Sequence, residues 1–280
     1  MKVIGVGDNV VDKYLYTNTM YPGGNALNFS VFAKQLGVDA AYLGVLGNDK
    51  AAKHIIETLT ALNVDISYCR QHKGENGYAA VDLVDGDRVF IGGNSGGVLK
   101  KHPIILSTED LNYIKTFDIA HSSIYSGMEL ELHKLKQIGV LVSFDFSSEY
   151  TECILQRTCK YIDISLLSCG HLPRGEVEDL LKRVSSYGSK LVIGTMGSRG
   201  AIVYDGQRFH IQEPHIVKAV DTLGAGDSFF TAFILDYLSN KEGNVINPKE
   251  VLFKSSLEKG AEFAAKTCLI DGAFGYGIPI

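Results

Sequence analysis

The sequence predicts an α/β fold: a mostly parallel sheet covered by helices on both faces, with a small β-element set apart from it. Three observations carry that reading. Short apolar runs alternate with amphipathic stretches of helical period along most of the chain. Two segments, 13–21 and 66–93, break the alternation. The chain then closes on two long helical stretches and a glycine-rich tail.

Taken in order, Lys2–Gly7 is a short apolar run of the kind buried in a parallel sheet. Gly24–Leu36 reads as a helix with Phe29, Phe32, Ala33 and Leu36 on one face. Ala41–Gly47 is the next strand, and Asp49–Leu62 the next helix, with Ile55, Ile56, Leu59 and Leu62 at helical spacing. Asp118–Ile124, Leu141–Phe146, Tyr161–Leu167 and Lys190–Gly194 follow as strands, with helical stretches such as Glu129–Gln137 and Glu176–Ser186 between them. The exceptions are Lys13–Tyr21, polar and rich in tyrosine, and Ile66–Gly93, which reads as successive strands. Tyr78–Val84 and Arg88–Ile91 form a hairpin around the turn signal Asp85-Gly86. Residues 1–12, 22–65 and 94–280 are therefore expected to form the core. Segments 13–21 and 66–93 are expected to form a β lid over a site. Helices Gly226–Leu238 and Pro248–Cys268 precede the tail DGAFGYG.

The 280 residues suffice for one large α/β domain with a substantial core. At 45% apolar, 21% charged and net charge −5, the composition is that of an ordinary globular protein. No basic run exceeds two residues and no apolar run approaches the ~18 of a membrane helix, so neither a nucleic-acid nor a membrane partner is expected. The start, MKVIGVGDNVVD, lacks the apolar stretch of a signal peptide. Five irregularly spaced cysteines without a Cys-x-x-Cys pair argue against a disulfide framework or structural zinc, and a cytoplasmic setting is expected.

The strongest chemical signal is Asp221-Thr222-Leu223-Gly224-Ala225-Gly226-Asp227-Ser228-Phe229. Gly224, Ala225 and Gly226 open a helix whose first N–H groups and positive dipole end suit an anion, and small residues let a phosphate approach closely. Asp227 in the first turn would repel that anion. It needs a reason to be there, and a general base taking a proton from an attacking hydroxyl is one. A plain glycine turn with Asp227 as an N-terminal helix charge is the other reading. A second cluster, Asp8, Asp12, Gly24, Asn25 and Asn28, lies just beyond the first strand, where open parallel sheets bind ligands. Its short carboxylates and amides can take the hydroxyls of a polyol, or cap a helix and form turns. The third, Gly194-Thr195-Met196-Gly197-Ser198-Arg199-Gly200, is either a tight strand–strand turn or a seat for nucleotide phosphate or ribose. Gly5-Val6-Gly7-Asp8-Asn9-Val10 begins like a dinucleotide fingerprint but lacks its third glycine, and no GxxxxGK[ST] occurs.

In this order and spacing the three motifs resemble the PfkB-type carbohydrate kinases of the ribokinase-like fold, over essentially the whole chain. Within that family GDNVVD, GGNALN, DGDRVF, FDFS and the GAFGYG ending are similar to the fructoselysine 6-kinases. The resemblance implies a three-layer sandwich with a β lid, and phosphorylation by ATP of a primary hydroxyl, the 6-OH of fructoselysine or a related ketose-amine. Another sugar kinase, such as a fructokinase or ribokinase, is the alternative within the family. A non-catalytic sugar-binding sensor with the same fold is the alternative from a different functional class. By resemblance Asp227 is the base, with Gly224, Ala225 and Gly226 the anion hole. Asp8, Asp12, Gly24, Asn25 and Asn28 bind the sugar, and Arg88 reaches it from the lid. Thr195, Gly197 and Gly200 line the nucleotide, and Ala261 and Gly272 border the adenine. Asp221 and Thr222 match positions that contribute to a monovalent-cation site in many relatives, with K+ as the candidate ion; whether K+ activates is left open by the resemblance. Many relatives carry an Asn-x-x-Glu that helps hold magnesium; here the stretch reads Leu167-Ser168-Cys169-Gly170-His171-Leu172. Mg2+ is then expected on ATP with mostly water ligands. Pairing of two lids, which covers their bare strand edges, implies a homodimer.

Overall fold

In a computed structural model, residues 1–84, 87–243 and 249–280 are described, the side chains of 83–84, 87–88 and 242–243 excepted. The strands are β1 (Lys2–Gly7), β2 (Val10–Tyr14), β3 (Thr19–Gly23), β4 (Asp39–Leu46), β5 (Arg70–Gln71), β6 (Tyr78–Val84) and β7 (Asp87–Gly93). They continue with β8 (Ile119–Ser123), β9 (Leu141–Asp145), β10 (Ile164–Ser168), β11 (Leu191–Thr195), β12 (Ala201–Tyr204), β13 (Phe209–Gln212) and β14 (Ile278–Pro279). The helices are α1 (Asn25–Gln35), α2 (Lys50–Ala61), α3 (Val98–Lys101), α4 (Thr108–Ile114) and α5 (Leu132–Ile138), then α6 (Glu152–Thr158), α7 (Arg174–Ser186), α8 (Ala225–Gly243) and α9 (Lys249–Thr267).

Nine strands form the larger sheet in the order β13-β12-β11-β10-β9-β8-β1-β4-β5, parallel except where β12 and β13 fold back. Both faces are covered, so its strands are apolar throughout, and successive residues serve opposite layers. Val3, Ile119, Ile164 and Ile193 pack with Phe29 of α1, Phe230 and Phe233 of α8 and Phe253 of α9. Ile4, Ala120, Val142 and Val192 pack with Leu132 and Leu135 of α5, Leu155 of α6 and Val177 and Leu181 of α7. Among the described residues no helix is long and apolar enough to cross a membrane.

The smaller sheet has the order β14-β3-β2-β6-β7. The chain enters it directly from the end of β1, so it stands over the carboxyl edge of the larger sheet. Asn9 anchors this crossing: its Nδ2 donates to Tyr42 Oη at 2.9 Å and to the Val45 carbonyl at 3.0 Å, and its Oδ1 accepts from Asn76 Nδ2 at 2.9 Å. The small sheet's strand boundaries differ from the expected 13–21 and 66–93. Val10–Asp12 and Pro22–Gly23 belong to the small sheet, because β2 and β3 pair along their whole length. Arg70–Gln71 pairs instead with β4 at the edge of the larger sheet. The glycine-rich tail ends as β14, paired with Thr19 and Met20. β10 starts three residues later than expected, because Cys159–Tyr161 forms a 3-10 turn. The Asp85-Gly86 turn lies outside the described residues.

Candidate active site

A cavity of about 350 Å³ opens between the small sheet and the carboxyl ends of β9 and β10. Its walls carry Asn25, Asp145, Ser147, Ser168, Asp221, Thr222, Gly224, Gly226 and Asp227, with Tyr14, Val81 and Phe90 from the small sheet. This is where a doubly covered parallel sheet leaves room for a ligand. No Lys, Arg or His among the described residues lines it.

The turn before α8 is shaped by Gly224, whose φ of +73° favours glycine; a Cβ there would meet that of Ala273 at 2.7 Å. Gly226 differs, because a Cβ there would meet nothing within 4 Å. It faces open space at a helix N-terminus, as an anion seat requires. Ala225 is the first residue of α8 and half-buried. Asp227, one turn in, accepts from Asn28 Nδ2 at 2.7 Å. Burial first, and then the charge of Asp145, push the Asp227 carboxyl well above the ordinary range, and the Asn28 hydrogen bond opposes the rise.

Asp8, expected to bind a sugar hydroxyl, also serves the fold. Gly24, at φ +115°, is the N-cap of α1 and has no side chain to cap with. The Asp8 carboxylate does so instead, accepting from Asn25 N at 2.7 Å and Ala26 N at 3.2 Å. Its Oδ1 also accepts from Ser123 Oγ at 2.7 Å and Ser126 Oγ at 2.8 Å. Three of these four donors meet Oδ1 and one meets Oδ2, so Asp8 holds the floor of the site while Oδ2 keeps room for a further donor. Asp12 is buried, and no hydrogen bond among the described residues reaches its carboxyl. Burial, then the Asp221 carboxylate, push it up to about 7. The Asn28 Oδ1, also buried, has no partner. Unpaired buried acceptors of this kind call for a donor-rich ligand.

Asp145, at the last position of β9, is a site residue that the sequence reading passed over, noting only the FDFS motif that contains it. Asn25 Nδ2 donates to its Oδ2, and Ser147 N to its Oδ1 at 2.7 Å. Burial raises it to about 6 against those two bonds. An acid closing an apolar parallel strand was the available signal.

The residues expected around the nucleotide lie outside this cavity. Thr195 ends β11, its hydroxyl 3.5 Å from the Leu167 carbonyl. Gly197 and Gly200 make the β11–β12 turn, where a Cβ on Gly200 would clash with the Gln212 carbonyl at 1.9 Å. Ala261 packs in the α8–α9 core. Gly272 donates its N–H to Asp221 Oδ2 at 2.8 Å and backs onto the Tyr21 ring. The Arg88 side chain lies outside the described residues. No cluster of three or more His, Cys, Asp or Glu able to hold a metal occurs among the described residues.

The arrangement can receive an anion at the start of α8, deprotonate a hydroxyl beside it and hold a donor-rich molecule on Asp12 and Asn28. Comparison with known proteins points the same way. The family model described as pfkB family carbohydrate kinase matches residues 2–137 and 165–268. The chain is 41% identical over 280 residues to fructosamine kinase FrlD of Bacillus subtilis, covering 100% of this chain and 95% of that one. It is 31% identical over 272 residues to fructoselysine 6-kinase of Escherichia coli, covering 96% and 98%. Its fold is shared with Arabidopsis thaliana ribokinase complexed with ribose and ATP, at a TM-score of 0.81 and 22% identity, over 98% of this chain and 94% of that one. Fructokinase with bound ATP from Xylella fastidiosa gives a TM-score of 0.79 at 16% identity, over 98% and 94%. With the family model and full-length relatives in agreement, the chain belongs to the pfkB family of carbohydrate kinases.

Proposed function

We propose that the protein transfers the γ-phosphoryl group of ATP to a primary hydroxyl of a ketose-amine, the 6-hydroxyl of fructoselysine or a close relative. The observation that carries this reading is Asp227, held at 2.7 Å by Asn28 beside the open Gly226 at the start of α8. The full-length relatives named as kinases of fructosamine and fructoselysine direct the choice of acceptor.

Asp12 and the free Oδ1 of Asn28 accept from the sugar hydroxyls. Asp227, a stronger base than an exposed carboxylate because burial raises it, takes the proton of the attacking hydroxyl. The N–H groups opening α8 receive the transferring group. The small sheet covers the site and keeps out water that would otherwise hydrolyse ATP. Magnesium fits as an ion carried by ATP: the cavity offers Asp145 and Asp227 to its water shell and, among the described residues, no closed cage, which suits an ion that keeps its waters. It would supply charge neutralisation of the phosphates. Asp221 Oδ2 accepts from Tyr14 and Gly272 and Oδ1 from Leu223, and a carboxylate oxygen has more than one lone pair, so a monovalent cation could also use Oδ1.

A homodimer through the small sheet belongs to this reading, supported by Val89, Phe90 and Ile91 exposed on the edge strand β7. A monomeric mass in light scattering would remove it. All five cysteines are free, which supports a reducing, cytoplasmic setting.

The test is ADP release with Mg-ATP and fructoselysine, fructose or ribose. A kcat/KM for fructoselysine roughly tenfold or more above fructose supports the reading. Equal values would make the protein a general fructokinase, and no sugar-dependent ADP release would make it a sensor.

A further inference from the structure

The strand β2 carries Asp12 and Tyr14 two residues apart, so both side chains leave the same face of the small sheet. Asp12 is buried, with its carboxyl within electrostatic reach of Asp221. Tyr14, 1% exposed, lines the cavity and donates its hydroxyl to Asp221 Oδ2 at 2.5 Å. Its ring is fixed by Tyr16 and Tyr21, with centroids 5.7 Å and 5.0 Å away. Asp221 in turn accepts from Leu223 N at 3.0 Å, inside the turn that leads to Gly226 and Asp227. It also accepts from Gly272 N at 2.8 Å, in the loop after α9. That loop runs on to β14, which pairs with β3 of the same small sheet. One buried carboxylate thus joins the strand that bears Asp12, the turn that bears the anion seat and the base, and the C-terminal segment.

We propose that Tyr14 is a positioning residue for phosphoryl transfer. Through Asp221 it sets the distance between the sugar held on β2 and the phosphoryl group held at α8. This rests on the reading of Asp227 as the base. In-line transfer is mostly a matter of placement, and a misplacement of about 1 Å can cost about 100-fold in rate. A short hydrogen bond to a carboxylate is stiff enough to hold that registration. Tyr14 touches neither reacting atom in this role, so its loss should appear in turnover more than in binding.

The test is Tyr14→Phe, which keeps the packed ring and removes only the donor. The expected result is a kcat lowered roughly tenfold or more, with the separate dissociation constants for sugar and for ATP within about threefold of wild type. In a cycle with Asp221→Asn, the double variant should be no slower than Asp221→Asn alone, because both changes break the same link. A kcat within about twofold of wild type, or a loss lying wholly in sugar affinity, overturns the proposal. Losses in the cycle that multiply independently overturn it too. Tyr14→Phe decides even if Asp221→Asn does not fold. Asp227→Asn in the same assay separates the two readings. If it is inactive while Tyr14→Phe is fully active, only the role of Tyr14 falls. If it is fully active, the base assignment falls first.

Discussion

Replacing Asp12 by asparagine would expose the electrostatic cost of the acidic cavity. Asp12 is 5% exposed, and its carboxyl is pushed up to about 7 from 3.8, by burial and then by Asp221. Between those two values the folded protein binds a proton that the unfolded chain has released. The contribution of Asp12 to stability is therefore intact below about pH 4 and is lost as the pH climbs through 7. A rise of about three units corresponds to a loss of about 4 kcal/mol once the pH exceeds 7. About 1.6 kcal/mol of this is gone by pH 5, so about 2–3 kcal/mol is lost between pH 5 and pH 8.5. Asparagine carries no charge at either pH and escapes that loss. Whatever the constant cost of fitting its amide, Asp12→Asn should gain about 2–3 kcal/mol on wild type between the two pH values. Urea unfolding of both proteins at pH 5 and pH 8.5 measures this directly. A variant–wild-type difference that is the same at both, within about 0.5 kcal/mol, would refute the claim that Asp12 is forced to ionise in a buried, donor-poor place.

Asp227→Asn keeps the shape of the side chain and removes the base, so sugar-dependent ADP release should fall about 10²–10⁴-fold with the melting temperature little changed. Asp145, near 6, and Asp227, raised, line the cavity and buried Asp12 is near 7, so wild-type activity should climb from pH 5 to pH 8; a flat profile over that range would contradict the base assignment. Gly226→Val introduces atoms into open space at the start of α8, so the fold should survive, by circular dichroism, while phosphorylation is abolished. Asp8→Ala removes the cap of α1 and strands the donors of Ser123 and Ser126; a loss of about 2–4 kcal/mol in urea unfolding is expected, with sugar affinity changed much less than by Asp12→Ala.

The elements themselves were readable because their signals are local. The alternation of apolar runs and helical stretches placed β1, α1, β4, α2 and the long helices to within a residue or two at most ends. The turn at Gly224–Gly226 was readable for the same reason: glycines, a first-turn acid and an apolar helix face all lie within ten residues. Asp145 was not, since a strand ending in an acid is common. Its importance comes from β9 lying between β8 and β10 while α8 approaches from the other end of the chain. Asp8 looked equivalent to Asp12 along the sequence, yet four donors reach the one and, among the described residues, none reaches the other. Only the approach of α1 and of Ser123 and Ser126 separates them.

Periodicity, turn chemistry and the three motifs thus determined the α/β class, the order of its elements and the family of its chemistry, all properties of residues near one another along the chain. The division of labour among the acids, the tie from Tyr14 through Asp221 to the turn before α8, and the use of the C-terminal tail as a fifth strand of the small sheet were decided by the tertiary structure alone. A carboxylate's pKa and hydrogen bonds depend on how deeply it is buried and on which donors reach it, and those donors come from segments that only folding brings together.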